Sequence, residues 1–105
     1  MLLARATDMQ REIGVLSYEG KTEEIIGDED EISADVFWQA YERLNPASGR
    51  RVFFTHTHYD ATSHPLGPSD KDARNFRELA EILIICRIVL WNGETIEYIY
   101  DSAYR

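Results

Sequence analysis

Two histidines one residue apart, His56 and His58, close the strand-like run RVFFTHTH, which after Arg51 is otherwise apolar, aromatic and β-branched. Alternate side chains of a strand point to the same face, so both imidazoles can meet at one point, as two ligands of a shared metal ion must. The segment HTHYDATSHPLGPSDKD then packs three histidines and three aspartates into seventeen residues leading up to a helix, the kind of junction where functional residues gather. Two imidazoles and one carboxylate leave a tetrahedral zinc ion its fourth position for water, the open arrangement of a catalytic site. Asp72 is the expected third ligand and zinc the expected cofactor. A zinc-activated water needs a nearby carboxylate to take its proton and pass it to a leaving amine, and Glu12 is the candidate. His64 is expected to be a loop residue and only secondarily a ligand, because Pro65 orients it independently of the strand.

The pair His56-Thr57-His58, followed by Pro68-Ser69-x-x-Asp72, resembles the metal motif of the JAB/MPN (JAMM) metalloprotease family. Arg11-Glu12 ahead of an apolar strand is similar to its bacterial RadC-like branch, and the likeness in element order runs over nearly the whole chain. The resemblance implies that His56, His58 and Asp72 bind zinc, that Glu12 is the general base, and that Ser69 steadies the oxyanion. It also implies a peptidase or isopeptidase acting on a peptide or ubiquitin-like conjugate. The chain departs from the family pattern in three places: Tyr59 stands where proline is usual, three extra residues separate His58 from Ser69, and Glu12 precedes Gly14 by two residues rather than three.

Ser69-x-x-Asp72 also fits a helix-capping box. The alternative function is an inactive JAB/MPN-like interaction module, since fold alone does not fix function. THTHYD further resembles the HxHxDH pattern of metallo-β-lactamases, but Ala61 replaces the next histidine and no earlier Asp-x-Gly strand end is present. Zinc deaminases are excluded because no PCxxC follows.

The elements that must position these residues follow from periodicity. Leu2, Ala6, Met9 and Ile13 recur at helical spacing, predicting a helix over 2–10. Ile13–Tyr18 and Thr22–Ile26, with Glu19-Gly20-Lys21 between them, predict a β-hairpin. Ser33 is a good N-cap for a helix whose apolar face is Val36, Phe37, Ala40, Tyr41 and Leu44 and which ends at Asn45-Pro46. A strand is expected from Arg50 to Thr55, then a loop from His56 to Pro68. Ala73, Phe76, Ala80 and Leu83 predict a third helix, Ile84–Trp91 a buried strand, Asn92-Gly93 a type I′ turn, and Thr95–Tyr100 the last strand. The fold class expected is α+β: one small domain with a central mixed sheet flanked by helices, JAB/MPN-like with cytidine-deaminase-like layering.

The chain of 105 residues has 44% hydrophobic and 29% charged residues, ordinary for a globular protein with one core. Eleven basic against nineteen acidic residues give a net charge of -8, which disfavours a nucleic-acid partner. Glu23, Glu24, Asp28, Glu29, Asp30 and Glu31 concentrate that charge, either as a solvated turn or as a landing surface for a basic segment. Arg5 and Asp8 interrupt the apolar start MLLA, so neither a signal-peptide core nor a membrane span is expected and the cytoplasm is the expected location. Cys86, within ILIICRIVLW, is expected to be buried and inert. The sequence leaves the oligomeric state open.

Overall fold

The structure is a computed structural model that describes residues 2–46, 52–60, 64, 67, 69–76 and 84–99, with Ala73 described by its backbone alone. Among the described residues the order is α1 (Leu2–Met9), β1 (Ile13–Tyr18), β2 (Lys21–Ile26), α2 (Ala34–Leu44), β3 (Phe53–His58), α3 (Asp70–Phe76), β4 (Ile85–Leu90) and β5 (Thr95–Ile99). The strands form one sheet in the order β2-β1-β3-β4-β5. β3 and β4 run parallel while the other neighbours are antiparallel, so the fold is the expected α+β arrangement with a mixed sheet. Among the described residues no helix is long and apolar enough to cross a membrane.

Local chemistry accounts for most element ends. Glu19 and Gly20 both have positive φ and join β1 to β2, the conformation that a two-residue hairpin loop requires. Lys21 is therefore already in the strand rather than in the turn. In α2, the Ser33 hydroxyl accepts the Val36 N–H, and the left-handed Asn45 donates its N–H to the Tyr41 carbonyl, closing the helix at both ends.

Two further expectations need correction. The strand carrying the histidines does not stop at Thr55: β3 runs through His58, with Thr57 paired to Val89 and His58 to Leu90 on β4. A neighbouring strand that offers backbone partners outweighs the polar character that suggested a loop. The Asn92-Gly93 turn is not type I′, because of these two residues only Gly93 has positive φ. Gly93 donates its N–H to Leu90 O, and Asn92 Oδ1 accepts the Glu94 N–H. The result is a three-residue loop with a left-handed glycine at its end. Arg50, the 61–63 part of the loop, Pro65, Pro68, Ala80, Leu83 and Tyr100 lie outside the described residues.

The core lies on one sheet face. Leu16, Phe54 and Cys86 share that face through the strand register, and Phe37, Ala40 and Leu44 of α2 and Phe76 of α3 join the same cluster. Phe37 stands 4.9 Å from Phe54 and 5.4 Å from Phe76, ring centre to ring centre; such aromatic pairs add about 1 kcal/mol each beyond their buried area. α1 packs against β1 and β3 with Ala6 fully buried. Cys86 is buried as expected, and burial together with the Asp72 charge pushes its thiol up to about 12, far from a reactive thiolate.

The acidic residues divide into two groups. Glu23 and Glu24 stand on β2 rather than in a turn, paired with Arg43 at 3.1 Å and with Arg5 at 2.5 Å. Asp30 and Glu31 face Lys71 at the start of α3, at 2.5 and 3.7 Å.

Candidate metal centre

Strand alternation puts Phe54, His56 and His58 on the core face of β3, and the Phe54 ring stacks on His56 at 5.2 Å. Gly14 of β1 lies directly opposite His56. A Cβ there would meet Ile32 at 2.9 Å and Phe54 at 3.0 Å, so glycine keeps the strands and the ring stack in place. Two residues upstream, on the same face, is Glu12. Its backbone is clamped on both sides: its N–H donates to Asp28 O at 2.8 Å, and its carbonyl accepts from the Gly27 N–H at 2.7 Å. The next residue, Ile13, donates its N–H to the buried Thr57 hydroxyl at 3.0 Å, which ties the start of β1 to the residue between the two histidines.

Asp72 arrives from α3 through a reciprocal cap. Its N–H donates to Ser69 Oγ, and its Oδ2 accepts the Ser69 N–H, both at 3.0 Å. The same Oδ2 lies 3.3 Å from His56 Nε2 and 3.1 Å from His58 Nε2, and the two imidazole nitrogens are 3.2 Å apart. Cap and cluster thus coexist in one carboxylate.

These three distances test the fit of an ion. A tetrahedral zinc ion with bonds of about 2.0 Å separates its ligand atoms by about 3.3 Å, and two imidazoles with one carboxylate are a common zinc donor set. Glu12 completes a group of four metal-ligating side chains whose donor atoms lie within 4.8 Å of one another. Its Oε1 is 3.9 Å from His56 Nε2, wider than the spacing inside the trio, which sets it beside the donors rather than among them.

Glu12, His56, His58 and Asp72 are all 0% exposed. Both oxygens of Glu12 and Oδ1 of Asp72 have no hydrogen-bond partner among the described residues, and neither has His56 Nδ1. Two buried carboxylates with unused lone pairs are costly unless a cation balances them, and a divalent ion does so. No protein-family profile, no curated protein and no solved structure matches the chain.

Burial by itself would raise the Asp72 carboxyl, but the His56 charge, hydrogen bonds from both imidazoles and the Ser69 N–H outweigh it and hold the group far below the usual carboxylate range. A depressed folded-state pKa contributes stability that is present above the unfolded value, about 3.9, and is lost as pH falls toward the folded one. In metal-free protein, the unfolding free energy measured in urea should therefore fall more steeply between about pH 5 and pH 2 for the wild type than for Asp72→Asn. The difference approaches about 1.4 kcal/mol per pH unit for one proton. Equal slopes would contradict the role given to this carboxylate.

Of the residues expected from sequence, His56, His58, Asp72 and Glu12 converge, and Ser69 stands at the cap. Its hydroxyl accepts the Asp72 N–H and has one proton left to donate. Sequence reasoning missed two supporting residues. Thr57 reads as a spacer between ligands yet anchors β1. His64, expected as a loop histidine, is buried with its Nε2 3.4 Å from Glu12 Oε2. Burial would lower the His64 pKa, but the neighbouring Glu12 carboxylate and the Asp60 carbonyl raise it overall. The only signal for its role was a third histidine six residues beyond His58.

Proposed function

We propose that this chain is a zinc-dependent hydrolase of amide bonds, a peptidase or isopeptidase of the JAB/MPN type. The observation that carries the reading is the trio of buried donors within 3.1 to 3.3 Å of one another, with the buried Glu12 carboxylate beside them. His56, His58 and Asp72 would hold the ion. When bound, zinc draws the pKa of a water down toward about 7 and polarises a scissile carbonyl.

The protein groups do the rest. Glu12 takes a proton from the attacking water as the new C–O bond forms, then returns it to the amine nitrogen as the C–N bond breaks. The Ser69 hydroxyl donates to the oxyanion that develops between those steps. The resemblance of Glu12, His56, His58, Ser69 and Asp72 to the JAMM motif supports the same assignment of roles.

A cleft of about 500 Å³ lined by Thr7, Gln10, Glu29, Asp30, Tyr59 and Asp60 includes the two residues that follow His58. Its acidic lining of Glu29, Asp60 and Asp30, the last also paired with Lys71, suits a basic peptide segment, such as the tail of a ubiquitin-like protein. Zinc-loaded protein should cleave lysine- and arginine-bearing peptides or isopeptide conjugates, stop on chelation and resume when zinc is restored. Its kcat/KM should fall about tenfold between low and high salt as the attraction is screened. Stoichiometric zinc without cleavage of any such substrate would point instead to an interaction module.

A further inference from the structure

One buried imidazole near the centre stands outside the donor trio. His64 Nδ1 lies 3.1 Å from the Asp60 carbonyl oxygen, which also accepts the His64 backbone N–H at 2.9 Å. A carbonyl only accepts, so Nδ1 carries a hydrogen. The ring is further held between His58 and Tyr59, with centroids at 5.1 and 4.8 Å. These contacts fix Nε2 at 3.4 Å from Glu12 Oε2, and neither atom has a hydrogen-bond partner among the described residues. Two bare lone pairs facing each other in a buried space would repel, so a hydrogen belongs between them. The other oxygen, Oε1, lies on the His56 side at 3.9 Å.

We propose that His64 is a positioning residue for Glu12: its Nε2–H holds Oε2 and leaves Oε1 to take the proton of the attacking water. The inference rests on the hydrolase reading above and names the residue that aims its base. A carboxylate on a flexible side chain has two equivalent oxygens and a nearly free terminal torsion. Pinning one oxygen sets the direction of the other, and misplacing a reacting group by about 1 Å can cost about 100-fold in rate.

Two near-isosteric variants separate positioning from packing. His64→Asn keeps an N–H for the Asp60 carbonyl but ends short of Glu12, whereas His64→Gln extends an N–H to where Nε2 stands; both lose the ring. Three readouts apply: zinc content by elemental analysis, crystal structures of the zinc-loaded proteins, and hydrolysis of 4-nitrophenyl acetate. We expect one zinc per chain in all three proteins. Glu12 should be displaced in His64→Asn, with kcat lowered about 30-fold at unchanged KM, and both effects should be reversed in His64→Gln.

An unmoved Glu12 with unchanged kcat in His64→Asn would overturn the proposal. So would loss of zinc from that variant. If the wild type binds zinc but leaves the ester intact, the hydrolase reading fails, and the Glu12 position in the crystals still decides the role of His64.

Discussion

Adding zinc to the metal-free protein is expected to raise its thermal midpoint by about 15 °C, and Asp72→Asn is expected to lose nearly all of that shift. A ligand that binds only the folded state at about 1,000 times its Kd contributes about 4 kcal/mol. In a domain of this size each kcal/mol moves the midpoint by about 4 °C. The shift reports the electrostatic relief argued above: the fully buried Glu12 and Asp72 carry oxygens without hydrogen-bond partners among the described residues, which a divalent cation would balance. Asparagine keeps the shape of Asp72 and an oxygen for the Ser69 N–H, but removes the charge that the ion needs. Scanning calorimetry with zinc and with chelator measures both proteins, and a wild type indifferent to zinc would rule out the centre.

Glu12→Gln should leave one zinc per chain and lower kcat about 1,000-fold on a peptide substrate, in the range by which general-base catalysis accelerates proton transfer. Glutamine fills the same buried space and still reaches the His64 ring, but it cannot take a proton from water. Its position beside the donors, 3.9 Å from His56 Nε2, explains why metal content should survive. Elemental analysis and steady-state kinetics on the same preparation make the comparison. Full turnover would remove Glu12 as the base, and loss of zinc would make it a fourth ligand.

The parts of the site that the sequence made legible are those with a local period. His56 and His58 could be placed on one face from strand alternation, and Ser69-x-x-Asp72 from capping chemistry; the structure joins them because α3 follows β3 and delivers Asp72 to that face. Helix α2 was legible from Ser33, its apolar stripe and Asn45. What stayed hidden is non-local. The approach of Glu12 to His64 spans 52 positions of chain and depends on a loop whose path no periodicity describes. The Thr57 hydroxyl accepting the Ile13 N–H is equally invisible to patterning, because threonine in a strand has an adequate explanation in β propensity. The extent of β3 was misjudged for a related reason: polar residues that a buried site requires look, in sequence, like a loop. The Asn92-Gly93 pair failed through side-chain chemistry, since Asn92 bonds forward to Glu94 and does not take up the left-handed conformation of a type I′ turn.

The central claim is that His56 Nε2, His58 Nε2 and Asp72 Oδ2 hold one ion, and anomalous diffraction at the zinc edge from a zinc-soaked crystal tests it most directly. The account predicts a single strong peak at about 2.0 to 2.1 Å from all three atoms. A crystal with no peak there, or with zinc bound only at surface carboxylates such as Glu29 and Asp30, would contradict it.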